Sequence, residues 1–433
     1  MTAAATGTSG VDCPDCGACI AAVDGWRVWC QRCEWNLVDP APDPAPDRRW
    51  QRLREAFGRH SSEALSAEVR DTPLDRARRP AVWRSRSLLL AYAIAAAVNA
   101  GSVLTIGLAV WLWIVPWPNV FYVLGAVTLP LLALTLRPRP TPAPDAPIDR
   151  ADAPALYEVT DRIADAMSTR RVAAIGSSLE FNANFRLAGW RGRPHIELGL
   201  PLMLLLDEAG RLGLLAHELS HGANGDPLRG RFLYAAVATL EQWAYVLRPS
   251  SIGSSAAGVD FGGPLASWAA VPIELAMLGL SRLIERVADT VRLLVHRESQ
   301  RAEYWADRIA ASVVGSEAMA RGLRAMAACD AAQDAQQRAA FDGGIRDLPA
   351  LLRDVRTGMP ASEYTRIERI WRREHTQVDL THPPTSLRLD MLRSTPQPAA
   401  LTLPTELLAA LQAELERLAH NAQRELTNRY TVR

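Results

Sequence analysis

The stretch Leu214 to Pro227, LLAHELSHGANGDP, decides how the second half of the chain folds. Apolar side chains recur at helical spacing through it and before it, and Asp207 stands where the N-cap of that helix is expected. His217 and His221 lie four residues apart on the helix, so one imidazole nitrogen from each can reach the same zinc ion. Glu218 is then placed to take a proton from an attacking water. Two unconnected surface histidines at a common helical spacing are the alternative interpretation.

A catalytic zinc site normally has three protein ligands, so a third must come from elsewhere in the chain. The extended pattern H-E-x-x-H-x-x-G-x-x-H is excluded, because Pro227 occupies the place of its last histidine. The other common solution is a glutamate on a later helix, followed four residues on by an aspartate that orients a histidine ligand. Two pairs have this spacing, Glu285 with Asp289 and Glu303 with Asp307. Spacing alone does not choose between them.

Three motifs in order, HELSH, SQRAEYWADRIAASVVG and THPPTSLRL, resemble the HtpX-like and CAAX-prenyl-endopeptidase family of membrane zinc metallopeptidases, which are gluzincins. The resemblance covers roughly residues 157–392 and the apolar segment before them. It implies that Glu303 is the third zinc ligand. It also implies that Asp307 holds His217 from behind.

The same resemblance assigns residues to the substrate side of the site. It implies that His382, in the HPP motif, donates a hydrogen bond to the oxyanion as it forms, and that Arg388 and Asn182 bind substrate. The family has an Asn-Ala-Phe-Ala edge strand before the zinc helix. This chain keeps the first two residues of that motif but continues with Asn184 and Phe185. An extended peptide would add to the edge of this strand through main-chain hydrogen bonds.

Five of the six cysteines lie near the N-terminus, in the pattern CPDC and, after thirteen residues, CQRC. Paired C-x-x-C turns predict a zinc ribbon, in which residues 25–29, GWRVW, form a hairpin strand. A disulfide framework is the alternative, and the absence of a recognisable secretory signal argues against it. Cys19 is left over. The predicted ligands of a structural zinc ion are Cys13, Cys16, Cys30 and Cys33.

Residues 87–115 and 119–136 are two runs without a charged residue. Each is long enough to cross a hydrocarbon core of about 30 Å as a helix. Arginines flank the pair on its outer sides, which predicts a transmembrane hairpin with both ends in the cytoplasm. A hairpin buried in a large soluble core is the alternative. Two further apolar segments, 232–247 and 264–284, contain charged residues, and the sequence leaves open whether they span the membrane.

These features divide the 433 residues into five parts. The parts are a zinc ribbon at 1–38, a proline-rich linker with a polar helical region at 39–86, the transmembrane hairpin at 87–136, a second proline-rich linker at 137–154 and a zinc metallopeptidase domain at 155–433. The expected fold is mainly α with a small β-sheet, an α+β zincin-like domain. Lys+Arg 48 against Asp+Glu 47 gives no overall basic field, so nucleic acid is not an expected partner.

The predicted function is a zinc-dependent endopeptidase in the cell membrane, multi-pass, with both termini and the peptidase domain in the cytoplasm. We expect one catalytic and one structural zinc ion, a polypeptide substrate, contact with the lipid bilayer and a protein partner for the ribbon. Quality control of membrane proteins is the role that the resemblance favours. The alternatives are a peptidase that processes prenylated proteins and an inactive membrane-anchored binding or regulatory protein.

Overall fold

The computed structural model describes residues 8–38, 63–74, 86–114, 147–189, 191–224, 226–248, 264–373 and 383–431. The chain divides into two compact units. The first unit comprises Met1–Arg79, Thr141–Asn224 and Gln300–Arg433, and the second comprises Pro80–Pro140 and Gly225–Ser299. The segment 155–433 therefore contributes residues to both units.

Helices make up most of the described chain, and the sheets are small, which confirms the expected mainly α composition. In chain order the helices are α1 (Arg86–Ile114), α2 (Pro154–Ala166), α3 (Leu200–Leu205), α4 (Glu208–Asn224), α5 (Asp226–Val246), α6 (Pro264–Val314), α7 (Ser316–Ala325), α8 (Cys329–Phe341), α9 (Leu348–Gly358), α10 (Ala361–Arg373), α11 (Thr385–Ser394) and α12 (Thr405–Thr431). A short 3-10 helix lies at Met326–Ala328, and residues 63–71 are also helical.

The N-terminal ribbon of the first unit is a two-stranded antiparallel hairpin with two cysteine turns. Strands β1 (Thr8–Asp12) and β2 (Cys19–Val23) flank the first C-x-x-C turn. The strand predicted at residues 25–29 is not formed. The backbone there is irregular and leads into the second cysteine turn. The side chain of Trp29 is buried.

A four-stranded mixed sheet forms the β part of the first unit. Its strands are β3 (Pro147–Ile148), β4 (Ala174–Ser178), β5 (Ala183–Ala188) and β6 (Arg193–Gly199), in the order β3-β4-β6-β5. Strands β4 and β6 are parallel, and the other pairs are antiparallel. Gly189 and Gly192, with φ of 67° and 57°, allow the tight turn between β5 and β6. Strand β5 therefore lies at the edge of the sheet.

Helix α4, which carries the HELSH motif, is packed in the core of the first unit. Leu215 and Leu219 are fully buried on its inner face. A Cβ atom built on Gly213 would lie 2.8 Å from the carbonyl oxygen of Ala318 in α7. Glycine at this position therefore lets the two helix backbones approach closely, and this contact holds the motif in place.

The C-terminal helix α12 completes the core of the first unit. Glu414 on α12 accepts hydrogen bonds of 2.8 Å from the backbone N–H groups of Ala155 and Leu156. These N–H groups belong to the first turn of α2 and have no partner within that helix. The carboxylate of Glu414 thus caps α2 and joins it to α12.

In the second unit, α1 packs along α5. Leu88, Ala91 and Ala95 of α1 are buried with Leu233 and Ala236 of α5. Alanine at these positions brings the helices close together. The other faces of α1 carry exposed apolar side chains, which include Leu104 and Trp111.

By length and composition, one stretch of the described residues could cross a membrane, Leu88–Leu108, with 21 residues and a mean hydropathy of 1.8. A core helix of a soluble protein can meet the same criteria, so this finding hints at a membrane span without establishing the predicted hairpin. The second predicted run, 119–136, the proline-rich run 39–47 and residues 137–146 of the second linker lie outside the described residues. The remaining part of the second linker, 147–154, contains strand β3 and the first residue of α2. Segments 232–247 and 264–284 fall largely within helices α5 and α6.

Candidate metal centre

Helix α4 presents the two histidines of the motif from a fixed position. The Asp207 carboxylate accepts a hydrogen bond of 2.8 Å from the backbone N–H of Gly210, which confirms the predicted N-cap. His217 and His221 lie four residues apart on this helix; His217 is buried and His221 is half-buried. Their ring centroids are 4.9 Å apart and the rings are nearly perpendicular. The two rings thus meet at one side of the helix.

Glu303 on α6 approaches both histidines. Its Oε2 lies 3.3 Å from His217 Nε2, and its Oε1 lies 3.4 Å from His221 Nε2. Three donor atoms of these residues lie within 4.8 Å of one another. Nitrogen and oxygen ligands about 2.1 Å from a tetrahedral ion are roughly 3.4 Å apart, so this spacing fits a single zinc ion.

The alternative carboxylate is placed elsewhere. Glu285 belongs to the second unit, where its carboxylate forms an ion pair of 2.5 Å with Arg248. The structure therefore brings Glu303 to the two histidines, whereas Glu285 pairs with Arg248 within its own unit.

Behind the histidines lies a buried chain of charges. Asp307 Oδ1 is 3.0 Å from His217 Nδ1. Arg388 on α11 donates two hydrogen bonds of 2.7 Å to the same carboxylate, one from Nε and one from Nη2. Asp307 is completely buried, and Arg388 is only 7% exposed. Arg388 therefore holds the carboxylate that in turn holds His217.

This partnership was not predicted from the sequence, which assigned Arg388 to the substrate. The THPPTSLRL motif signals that an arginine matters here, but not which side chain it meets. The guanidinium also borders the cavity described below, so the position is adjacent to a substrate site as well.

The charges around the centre alter the protonation of its residues. Burial by itself lowers the pKa of His217, but hydrogen bonds to Asp307 and Glu303 outweigh burial and raise the pKa to about 10. Burial by itself raises the pKa of Asp307, but Arg388 and His217 hold it below its usual value. In the metal-free protein His217 is therefore protonated at neutral pH, and a metal ion must displace that proton.

A cavity of about 410 Å³ opens beside the centre. His217 and the buried Glu218 line it together with Asn182 and Ala183 at the start of the edge strand β5. The cavity is mostly walled by apolar side chains, which are Phe181, Leu202, Leu214, Met319, Leu323, Met326 and Trp371. A carboxylate, an apolar cavity and a sheet edge thus lie side by side.

Two predicted substrate-side residues have different outcomes. Asn182 borders the cavity, and its backbone carbonyl accepts a hydrogen bond of 2.8 Å from Gly199 N. His382 lies outside the described residues, although the next two residues, Pro383 and Pro384, border the cavity. Trp371, which has no recognisable motif around it, was missed from the sequence.

The four predicted ribbon cysteines also come together, with their sulfur atoms within 4.8 Å of one another. Cys13 Sγ is 3.5 Å from Cys33 Sγ, and Cys16 Sγ is 3.6 Å from Cys30 Sγ. All four are free thiols. Sulfur ligands of a tetrahedral zinc ion are roughly 3.8 Å apart, so the cluster fits a structural zinc ion. Cys19 is exposed and lies outside the cluster.

Comparison with known proteins identifies one family. The model of peptidase family M48 matches residues 152–396, which is more than half of the chain. No curated protein and no solved structure matches the chain. The matched region contains both histidines, Glu303, Asp307 and Arg388, and it excludes the cysteine ribbon, α1 and α12.

Proposed function

The chain belongs to peptidase family M48, and from this premise and the geometry of the centre we propose that it is a membrane-anchored, zinc-dependent endopeptidase. Family membership makes it a metallopeptidase with a polypeptide substrate. The observation that carries the finer proposal is the meeting of His217, His221 and Glu303 within 4.8 Å, beside a cavity bordered by Glu218. In this proposal the first three residues hold zinc and Glu218 is the general base.

The tautomer of His217 follows from its partner. Asp307 Oδ1 accepts the proton of Nδ1, which leaves the lone pair of Nε2 facing Glu303 and the metal position. Arg388 fixes both oxygens of that aspartate, so neither can turn towards the metal. His217, His221 and Glu303 would hold the zinc ion, and such a set of three protein ligands is typical of catalytic zinc sites.

When bound, zinc would supply Lewis-acid chemistry, because it acidifies water and polarises a peptide carbonyl. Glu218 accepts the proton of the attacking water and returns it to the leaving amine. We assign the hydrogen bond to the developing oxyanion to His382. This assignment is supported by the two following prolines, which border the same cavity.

The proposed substrate is an extended stretch of polypeptide. Strand β5 lies at the edge of its sheet, and Ala183 at its start borders the cavity. An extended peptide can pair with such an edge through main-chain hydrogen bonds and place a side chain in the apolar cavity. Phe185, which departs from the family motif, packs against Gly222, next to His221. The side chain of Phe185 thus fills space against α4, and strand β5 still forms.

We further propose that helix α1 and the run 119–136 anchor the protein in the cell membrane, with the peptidase on the cytoplasmic side. The support is the apolar stretch Leu88–Leu108, the exposed apolar side chains around it and the arginines that flank the hairpin. A peptidase held at this surface can reach unfolded segments of membrane proteins, which fits a role in their quality control.

The base is tested with Glu218→Gln, with Glu208→Gln in the exposed first turn of the same helix as the matched control. We expect Glu218→Gln to keep its fold and zinc content and to lose about a hundredfold or more in kcat on an internally quenched peptide. Glu208→Gln should match the wild type. Cleavage by Glu218→Gln at the wild-type rate would refute the assignment.

The third ligand is tested by metal analysis of Glu303→Gln and Glu285→Gln. Loss of a ligand removes most of the zinc affinity, so Glu303→Gln should bind about one zinc ion fewer per chain. Glu285→Gln breaks ion pairs with Arg248 and Arg282 and should keep the wild-type content. Equal zinc content in the two variants would contradict the ligand set.

A further inference from the structure

The cysteine ribbon is packed against α10 of the same unit. Trp29 is only 2% exposed, and its Nε1 donates a hydrogen bond of 3.2 Å to the backbone carbonyl of Ser362. The Arg369 guanidinium lies 5.1 Å from the centre of the Trp29 ring. Arg366 donates a hydrogen bond of 2.7 Å to the carbonyl of the buried Leu37. These contacts recur every three or four residues along α10, which is the spacing of a single helix face.

The second cysteine turn is part of this contact. Arg369 donates a hydrogen bond of 2.5 Å to the carbonyl of Gln31, which lies between Cys30 and Cys33. Glu34, which follows the turn, pairs with Arg369 at 3.4 Å and also with Arg373. Glu34 has a φ of 63°, a conformation that the closed turn imposes on it. Helix α10 therefore contacts the ribbon at a turn whose shape depends on its four thiols being held together.

The opposite face of α10 borders the proposed substrate cavity. Tyr364, Ile367 and Trp371 pack against the main core, and Trp371 lines the cavity. Trp371 O also accepts a hydrogen bond of 3.2 Å from Ser386 of α11, the helix that carries Arg388. One helix thus has the ribbon on one side and the cavity on the other.

The core covers α10 only in part. Among the residues of α10, Glu363 is the one that is buried, and the apolar residues on its inner face are only partly buried. A helix with so little buried apolar area gains little stability from packing. On the core side Glu368 pairs with Arg324 at 3.2 Å and with Arg393 at 3.7 Å. The contacts with the ribbon add hydrogen bonds and ion pairs on the other face of the helix.

We propose that the ribbon is a brace for the substrate cavity, in which Trp29, Glu34 and Arg369 are positioning residues that hold α10 and so fix the cavity wall at Trp371. The proposal rests on the proposed peptidase function for its effect on activity. It requires no external partner for this face of the ribbon, because Trp29 and Leu37 are buried within the same chain. Loosening the contact should weaken substrate binding and leave the chemical step intact.

The test uses the full-length protein. Arg369→Ala removes the contacts with Gln31, Glu34 and the Trp29 ring, and Arg372→Ala is the matched control, an exposed arginine of the same helix outside these contacts. We expect Arg369→Ala to raise KM for an internally quenched peptide roughly fivefold, with kcat changed less than about twofold. Arg372→Ala should leave both constants at the wild-type values. An unchanged KM in Arg369→Ala overturns the proposal.

A charge exchange separates positioning from general loss of stability. Glu34→Arg places like charges beside Arg369 and Arg373 and should raise KM in the same way. Adding Arg373→Glu to that variant restores one opposite-charge pair across the contact and keeps Arg369, with its contacts to Gln31 and the Trp29 ring, in place. This double variant should recover at least half of the rise in KM. If the double variant is no better than Glu34→Arg, the charge contact does not position the cavity.

Hydrogen exchange supplies a readout that does not depend on hydrolysis. In Arg369→Ala the amides of α10 should exchange roughly tenfold faster than in the wild type or in Arg372→Ala. If the wild type cleaves no peptide, the proposed function fails, whereas exchange in α10 still tests the brace. Unchanged exchange overturns the brace, and faster exchange with an unchanged KM overturns its link to the cavity.

Discussion

Replacing Arg388 distinguishes the two roles that sequence and structure suggest for it. In the structure its guanidinium donates two hydrogen bonds to Asp307, which is fully buried and in contact with His217. Arg388→Met keeps a side chain of similar length and removes the charge. Among the described residues, Asp307 then retains His217 as its one charged partner at hydrogen-bond distance. If Arg388 served only to bind substrate, the variant would bind zinc and unfold like the wild type and would differ only in KM.

The size of the expected loss follows from burial. Removing one partner of a buried ion pair costs about 3–5 kcal/mol, because the remaining charge has no compensation. Since His217 stays beside Asp307, the lower end of that range, about 3 kcal/mol, applies. At roughly 2–4 °C per kcal/mol for a unit of this size, the melting temperature should fall by roughly 6–12 °C. Zinc affinity should fall about 10- to 100-fold, as for other residues that orient a ligand.

The assay is thermal unfolding combined with zinc titration in a competing chelator. Asp390→Asn is the control, because this exposed aspartate lies on the same helix and pairs with Arg393 at the surface, where a salt bridge contributes at most about 1 kcal/mol. A double-mutant cycle with Asp307→Asn measures the pair directly. The double variant should be more stable than the sum of the two single losses implies. Strict additivity, or a melting temperature and zinc affinity equal to those of the wild type, would refute the structural role.

Three further predictions concern the first unit. In the metal-free protein the raised pKa of His217 contributes to stability, by a few kcal/mol at most. The contribution is complete below pH 6.5 and is lost as the pH rises towards 10. The melting temperature of His217→Gln should therefore depend less on pH than that of the wild type. Gly213→Ala places a Cβ 2.8 Å from the backbone oxygen of Ala318 and should cost about 1–3 kcal/mol in denaturant titration, whereas Gly358→Ala, with open space around it, should not destabilise. Tyr157→Phe loses both hydrogen bonds of a buried hydroxyl, which join neighbouring strands, and should cost about 2 kcal/mol.

The parts of the centre that lie close together in the chain were predictable from the sequence. His217, Glu218 and His221 fall within five residues of one helix, so helical geometry alone sets how the side chains face. Asp207 as N-cap and the helix after it were read from local signals of the same kind. Such predictions succeed because they depend on backbone periodicity and not on which distant segments meet.

The proposed third ligand shows what helical periodicity cannot predict. Glu285 and Glu303 both begin an E-x-x-x-D pattern, and both lie on the continuous helix α6. They are separated by eighteen residues, five complete turns, so on an ideal helix they face the same direction and differ only by a translation of about 27 Å. No count of residues can tell which of the two reaches the histidines. The resemblance to a known family favoured Glu303, and the packing of α4 against its neighbours is what brings that glutamate to them in the structure.

The contact between the ribbon and α10 could not be predicted from the sequence, for a different reason. Arg369 and Arg366 bind carbonyl oxygens of the ribbon, and a backbone carbonyl is present at every residue and leaves no mark in the sequence. Arginines at this spacing on a helix are read most simply as a solvated face. One acceptor, the carbonyl of Gln31, lies inside the second cysteine turn, and the other, the carbonyl of Leu37, lies four residues after it. The contact between the ribbon and α10 therefore becomes recognisable only in the folded structure. Under the brace proposal, removing the ribbon should raise KM, because α10 would lose the contacts that position Trp371.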